Sequence, residues 1–340
     1  MSFQPTRCPY PHCPSRSGQP FAYRRRGWFQ RRCDKKIVPR FRCLVCHLSF
    51  SEQTFRVDYR LKRPLLLPRF FLDRISKVTH RQSARNHACS RSTEERHFGR
   101  LREHCQAFQE LRMAEVAAKG GLGEVFLLDE LETYEHHRNQ KPLTVPVLIE
   151  RKSGFVLDVR VGTLPPRRKR GEGRKRRESE AEGQGENPVE NPNQRRSEST
   201  QVVKAAFERL KAVTPKDRPL TVLTDEKHSY ARLLQELFGE RCLHKRTHST
   251  RVRDVTNPLW PINHTLARLR DNVSRLVRET WAAAKLRARL AGHLAIWVCY
   301  RNYVRGRTNR FTKITPAMAL GVQDRRWSPG ELLEWRIFPR

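Results

Sequence analysis

Acidic side chains are scarce. The 340-residue chain carries 35 Asp and Glu against 69 Lys and Arg, a formal net charge of +34 with histidine neutral. A surface this basic repels itself unless a polyanion or salt neutralises it, and the natural polyanion is nucleic acid. Long apolar runs are also missing. None approaches the roughly 18 residues of a membrane-spanning helix, and the N-terminus has no apolar signal core. Membrane insertion, an outer-membrane barrel, a collagen-like chain and secretion are therefore not expected; a cytoplasmic, nucleoid-associated location is. Apolar residues still make up 37% of the chain, enough for a core. The length predicts two or three domains.

Nine cysteines are an odd number for a chain with no export signal, so disulfides are the minor reading. Four fall early and in pairs, Cys8 with Cys13 and Cys43 with Cys46, separated by 29 residues. Two tight turns that each point two sulfurs inward complete a tetrahedral four-sulfur zinc shell, and a domain this small needs the metal for folding. Residues 1–65 are read as a zinc ribbon, with Cys33, His12 and His47 as possible substitute ligands.

Residues 66–118 read as three helices. Phe98, Leu101, Cys105 and Phe108 recur at helical spacing in the third, which Ser92 to Glu95 would cap. A short turn before it gives a helix-turn-helix, with Arg91, Arg96 and Arg100 at the start of the recognition helix as DNA contacts. Residues 1–120 hold 26 Lys and Arg against 9 acids, which favours DNA. The glycine-rich stretch 119–123 lacks the ending of a phosphate loop and is read as a linker.

From 124 onward the pattern is a mixed α/β sheet. Strands are expected at 124–128, 143–150, 154–162, 219–224 and around 243, with helices at 201–213 and 229–238. The stretch 165–200 holds 10 Lys/Arg, 7 Asp/Glu, four Gly and four Pro, and reads as a disordered insertion. A long helix is expected over 262–281, with Leu266, Leu269, Val273, Leu276, Val277 and Trp281 on one stripe. Residues 263–310 hold 11 Lys/Arg and two acids, so the other side faces phosphates, with Arg270, Arg275 and Arg278 as contacts. Residues 311–340 read as a C-terminal cap.

Asp129 and Asp225 each follow an expected strand. Two carboxylates brought together from strand ends supply the hard oxygen ligands of a Mg²⁺ (or Mn²⁺) site, and two such ions can activate a water or a 3′-hydroxyl.

These pieces together resemble a bacterial insertion-sequence transposase of the DDE type. The resemblance lies in RFRCLVCHLSFS after the knuckles, LLDELETYEHHRNQKPLTVPVLIE, LTVLTDEKHSYARLL and NPLWPINHTLARLRDNVSRLVRETWAAAK. It implies a ribonuclease H-like fold, metal-dependent DNA strand cleavage and strand transfer at terminal inverted repeats, target DNA as a second partner, and a homo-oligomer on DNA. Asp129 and Asp225 match the first two acids of the triad. The segment 275–278 puts Asn263 where such relatives carry Glu. On a helical wheel of about 100° per residue, Asn263 lies about 85° from the apolar stripe, Asp271 about 165° and Glu279 about 115°. Asn263 can ligate Mg²⁺ through its amide oxygen but cannot act as a base; Asp271 is the alternative third ligand. Two function classes stay open: a transposase, and a non-catalytic DNA-binding regulator derived from one. An RNA-processing nuclease is a third, with no stacking motif to support it.

Overall fold

The computed structural model describes residues 3–17, 20–167, 196–248, 250–277, 282–308 and 313–337. The expected disordered insertion falls mostly on 168–195, outside the described residues.

The N-terminal region is a three-stranded antiparallel sheet, β1 (Tyr23–Gln30), β2 (Ile37–Cys43) and β3 (Ser49–Ser51), in the order β1-β2-β3. Its small core joins Phe41, Phe50 and Phe55 to Cys8, Cys13 and Cys43. Three helices follow: α1 (Leu67–Arg74), α2 (His80–Asn86) and α3 (Arg91–Ala118). The cap of α3 is Ser90, whose side chain accepts from the Thr93 N–H, so the helix begins two residues before the expected Ser92 cap. Glu95, which would have to reach back to a Ser92 cap, is instead paired with Arg91 at 2.9 Å and Arg289 at 3.5 Å. The expected linker is a tight turn. Gly120 and Gly121 take positive φ, Gly121 donates to Val116 O, and Leu122 is buried. A Cβ on Gly121 would lie 2.5 Å from Val213 O, so no side chain fits there.

The mixed sheet predicted from the alternation of strands and helices is present. It comprises β4 (Val125–Tyr134), β5 (Pro142–Glu150), β6 (Val156–Val159), β7 (Gly162–Thr163), β8 (Leu220–Thr224) and β9 (Cys242–Arg246). The order is β6-β5-β4-β8-β9, with β7 pairing β5. β4, β5 and β6 are antiparallel neighbours, whereas β8 and β9 run parallel to β4. This is the ribonuclease H-like arrangement that the resemblance implies. All nine residues of β5 are buried, as a strand covered on both faces requires. Covering it are α4 (Ser199–Val213) and α6 (Trp260–Asn272), while α5 (His228–Phe238) packs on α4 and β9.

The expected long helix over 262–281 is broken. α6 stops at Asn272, Val273 is extended (φ −100°, ψ 108°), and a 3₁₀ turn covers Ser274–Leu276. Tertiary contacts decide this: Asn272 accepts from Lys77 N at 3.2 Å through its backbone and from Trp297 Nε1 at 3.2 Å through its side chain. The sequence reading missed α7 (Arg287–Cys299), which continues as a π-turn over Tyr300–Val304. Basic residues flanking its apolar stretch hid it. α7 packs closely along α3, and Gly292 permits the approach: a Cβ there would sit 2.8 Å from Arg102 Cδ. Two short helices, α8 (Pro316–Ala319) and α9 (Pro329–Leu333), close the chain.

One apolar cluster runs from Val57 to Leu333, joining α1 and α3 to the mixed sheet and to α9. Its densest aromatic packing surrounds Phe108, whose ring lies 5.0 Å from Tyr303, 5.2 Å from Trp335 and 5.9 Å from Trp327. Phe108→Ala should therefore cost about 3–5 kcal/mol. Because the cluster is continuous, circular dichroism (helix melting) and tryptophan fluorescence should report a single transition moved to lower temperature. Two separated transitions would show that α3 and the sheet do not share a core.

Candidate active site and metal centre

Two knuckles bring Cys8, Cys13, Cys43 and Cys46 together, with all four sulfurs within 4.8 Å of one another. A tetrahedral ion with bonds of about 2.3 Å needs sulfurs about 3.8 Å apart. Cys8 and Cys46 Sγ are 3.7 Å apart, and Cys13 and Cys43 Sγ 3.8 Å, far beyond a disulfide bond. The second turn is made by His47 in the left-handed region (φ 59°), and Val45 N donates to Cys43 Sγ at 3.4 Å. This four-cysteine group fits a metal ion of zinc's preferences. Cys33 is exposed, and neither it nor His12 nor His47 belongs to the cluster.

The carboxylates occupy the mixed sheet. β4 does not end at Asp129, as the sequence suggested, but continues to Tyr134. Its extension is held by Glu130, which sits in the strand with every carboxylate position used. Glu130 accepts from Thr144 Oγ1 at 2.5 Å, Ser199 Oγ at 2.8 Å, Tyr230 OH at 2.5 Å and Lys227 Nζ at 2.5 Å. Those donors hold its carboxyl below the ordinary range against the effect of burial.

What ends near Asp129 is the parallel pairing. The β4–β8 register runs to Leu127 opposite Leu223. Asp129, within β4, and Asp225, just past the end of β8, each lie two residues beyond that last pair, so both acids stand at the same edge of the sheet, close enough for the charge of Asp225 to act on Asp129. The Asp129 carboxyl is raised to about 6, by burial first and then by the charges of Asp225 and Glu130; the Glu130 N–H, donating at 2.8 Å, and Arg253 oppose the shift. Asp225 is half-buried and accepts from Lys227 N at 3.2 Å. Two acids at one sheet edge offer the carboxylate oxygens that a hard divalent cation prefers.

α6 packs on β4 and β5, with Ile262 and Leu266 buried and Asn263 half-buried in its first turn. Asp271 lies at the other end of α6 with its side chain 73% exposed and paired with Lys77 Nζ at 2.8 Å. Of the two alternatives for the third ligand, Asn263 therefore stands at the start of the helix beside β4. Glu279 lies outside the described residues.

The expected DNA contacts divide. Arg96 is exposed, and Arg91 is exposed and paired with Glu95 at 2.9 Å. Arg100 and Arg270 are half-buried. Arg278 lies outside the described residues. Arg275 differs from the expectation: its guanidinium is buried over the Phe98 ring, 5.2 Å from the centroid. It donates to His80 Nε2 at 2.6 Å and to His293 Nδ1 at 2.9 Å. A guanidinium only donates, so both acceptor nitrogens are unprotonated. His80 then donates its Nδ1–H to Glu94, and His293 its Nε2–H to Arg74 O, each remaining a neutral ring. Burial depresses both imidazoles, and the neighbouring arginines add to this.

The sequence reading also passed over two basic surfaces. On the N-terminal sheet, Arg24 stands directly opposite Arg42, beside exposed Arg25, Arg26 and Trp28. Arg246 at the end of β9, and Arg251 and Arg253 after it, are exposed where the chain leaves the sheet at the carboxylate edge. The alternation of Arg with aromatics in 23–30 and the basic run 245–253 were the signals available.

No protein-family model matches the sequence, and no curated protein matches it. Among solved structures, the chain is similar to the Mos1 strand transfer complex, over 75% of this chain and 70% of that one, at 10% identity and a TM-score of 0.29. It is also similar to the catalytic domain of Mos1 mariner transposase, over 60% of this chain and 90% of that one, at 15% identity and a TM-score of 0.25. The site is read from its own geometry.

Two measurements test it. Metal analysis of freshly purified protein should find about one zinc per chain, lost with Cys43→Ser. For Asp129 the sign follows from its raised pKa of about 6. As pH rises past about 4 the unfolded carboxyl ionises while the folded one does not, so stability falls until about pH 6, by roughly 3 kcal/mol in all. In chelator, Asp129→Asn should melt with wild type at pH 4 and above it at pH 7.5. Mg²⁺ should raise the wild-type midpoint at pH 7.5 and leave the variant unmoved. A variant less stable than wild type at pH 7.5 would show that Asp129 is not a strained acid.

Proposed function

We propose that the chain is a DDE-type transposase that cleaves DNA and joins strands at the terminal inverted repeats of its own element. The observation that carries this reading is the placement of Asp129 and Asp225 at one edge of the mixed sheet, each two residues beyond the last β4–β8 pair and near enough for their charges to interact. Strand-end carboxylates on a mixed sheet, in a chain of net charge +34, fit phosphodiester chemistry better than any other reaction class.

Asp129 and Asp225 would hold the divalent ions, with the Asn263 amide oxygen as a neutral third ligand. The ions supply an activated water or 3′-hydroxyl and stabilise charge on the leaving oxygen. The remaining work is done by the chain itself. Glu130, tied to α4 and α5 through Ser199 and Tyr230, fixes the strand beneath Asp129. Its saturated hydrogen bonds leave it no capacity as a ligand. Lys227 donates its backbone N–H to Asp225 and its ammonium to Glu130, which sets the turn carrying the second acid. Arg253 and the basic segment after β9 lie where a DNA backbone must pass to reach that edge. The four cysteines would hold a structural zinc, and the ribbon's Arg24 and Arg42, placed directly opposite each other, repel unless an anion lies across them. Target DNA and a second copy of the chain complete the proposed assembly.

One observation favours a second reading. An amide at Asn263 carries no charge and cannot complete an all-acid triad, as expected of a transposase derivative retained as a DNA-binding regulator.

A strand-transfer assay with Mg²⁺ or Mn²⁺ on repeat-ended DNA separates the two. Asp129→Ala or Asp225→Ala should abolish product, at least a hundredfold, while DNA affinity in an electrophoretic shift is kept. Asn263→Ala should lose most activity and Asn263→Glu keep or raise it. DNA binding without cleavage by the wild type establishes the regulator; wild-type product from Asp225→Ala ends the mechanism.

A further inference from the structure

Away from the carboxylates, the N-termini of α2 and α3 meet the segment that leads into α7 around a cavity of 460 Å³. Ala284 pairs with Glu135, just past the end of β4, six residues beyond Asp129. At about 3.3 Å per residue that is roughly 20 Å from the acids, so this cavity is a separate feature.

Its lining is strongly one-sided. Arg81, Arg91, Lys285 and Arg289 stand around it, buried Arg275 and His80 form part of its wall, and no acid lines it among the described residues. The nearest carboxylates are already engaged. Glu94 is buried against Arg74 and His80, and Glu95 is shared between Arg91 at 2.9 Å and Arg289 at 3.5 Å. Arg81 and Lys285 are exposed and have no hydrogen-bond or ion-pair partner among the described residues. Beneath them the charges do not balance. Arg74 and Arg275 are both buried; Glu94 is the one fully buried carboxylate beside them, Asp73 near Arg74 is already engaged by His87 at 2.9 Å, and Arg275 rests on two neutral imidazoles instead of an acid. Arg74 Nε and Nη1 are buried without a hydrogen-bond partner. A buried excess cation beneath unpaired surface cations is a standing electrostatic demand for an anion.

Shape narrows the anion. A DNA duplex lies on a surface as a broad rod, and side chains reach out to its backbone. Arg275, 8% exposed in the wall of a cavity, is reached only by a group that protrudes inward. The volume lies in the range that holds a small organic ligand, larger than a phosphate alone needs, and Ala282 and Ala283 supply an apolar side for a base or sugar.

We propose that this cavity binds the terminal phosphate of a nucleic-acid strand together with its last nucleotide. The identification of the ligand as nucleic acid rests on the reading of the chain as a DNA-processing protein. A monoester end carries more negative charge than an internal phosphodiester and can enter where a continuous strand cannot. Arg81, Lys285 and Arg289 would clasp the phosphate, with Arg275 behind them.

Fluorescence anisotropy with short single strands tests this. Matched oligonucleotides carrying a 5′-phosphate, a 3′-phosphate or no phosphate are titrated into the full chain. One phosphorylated form should bind about tenfold tighter than the unphosphorylated strand, the magnitude of a charge-assisted contact. Arg81→Ala and Lys285→Ala, both at exposed positions, should each reduce that preference, and together should erase it. Deoxyadenosine monophosphate should compete, deoxyadenosine should not, and inorganic phosphate should compete weakly. Equal binding of all three strands, or a preference that survives both substitutions, overturns the proposal. Phosphate competing as well as the mononucleotide overturns the nucleotide part of it. The Asp225→Ala protein should keep the phosphate preference. Loss of cleavage with the preference retained separates this site from the carboxylates, and failure of the cleavage assay leaves the binding test standing.

Discussion

Parallel pairing of β4 with β8 stops at Leu127 and Leu223, and everything chemically distinctive about this molecule follows from what comes two residues later. There β4 runs on while β8 gives way to a turn, and each brings one more side chain to the same edge of the sheet. Here both are aspartates. Their mutual repulsion, added to burial, lifts Asp129 to about 6, so the folded chain holds a carboxyl pair that is disfavoured as two anions in the absence of a counter-ion. Glu130 shows the opposite solution within the same strand. Four donors surround it, its charge is satisfied, and it braces the sheet against α4 and α5. Neighbouring acids on opposite faces of one strand thus have different fates, set by how many donors each face supplies.

A similar contrast runs through the cations. Most of the net charge of +34 is carried at the surface, where solvent and a polyanion can share it. Arg112 is an exception that the fold absorbs. It lies among Tyr303, Trp327 and Trp335, with its guanidinium 5.6–5.9 Å from each ring centroid, and ties the C-terminal segment to α3. Arg275 is absorbed less completely. Two imidazoles take two of its donors, yet neither neutral ring returns a charge. Replacing carboxylates by histidines around a buried arginine leaves the region cationic, where an ion-paired arginine would have been electrically silent.

The sequence made the four-cysteine cluster legible because the spacing of ligands on two turns is a local property. The acids at 129 and 225 were legible for a related reason: each follows an apolar run that must be a strand, and strands of one sheet converge. What could not be read was whatever depends on distant partners. Strand β4 continues past Asp129 only because Thr144, Ser199, Lys227 and Tyr230 accommodate Glu130 in the interior. α6 ends at Asn272, where Lys77 N–H claims the backbone carbonyl and Trp297 Nε1–H the side-chain amide oxygen. Arg275 sits on a stripe that helical periodicity would place toward solvent, but the helix that defines that periodicity has already ended. Single-residue helix-wheel arguments fail wherever a helix breaks, and nothing local announced this break.

The continuity of the core then bears on how binding and chemistry can communicate. α3 spans 28 residues, about 42 Å at 1.5 Å per residue. Its first turn borders the cationic cavity through Arg91, its middle packs along α7 past Gly292, and Gln109 reaches Val156 O of β6 at 3.4 Å. Toward the C-terminal segment, His104 meets Leu332 O at 2.9 Å, and the N-terminal region that holds the four cysteines is tied to that same segment by Lys36 and Arg56 at Glu334. A helix that is buried along one face for most of its length cannot be displaced at its exposed N-terminal turn without disturbing α7 and, through it, the sheet. Close packing transmits such strain because its elements have few alternative arrangements. An independent recognition module on a flexible linker would have offered no such route; here the turn at Gly120 and Gly121 is too tight to act as one.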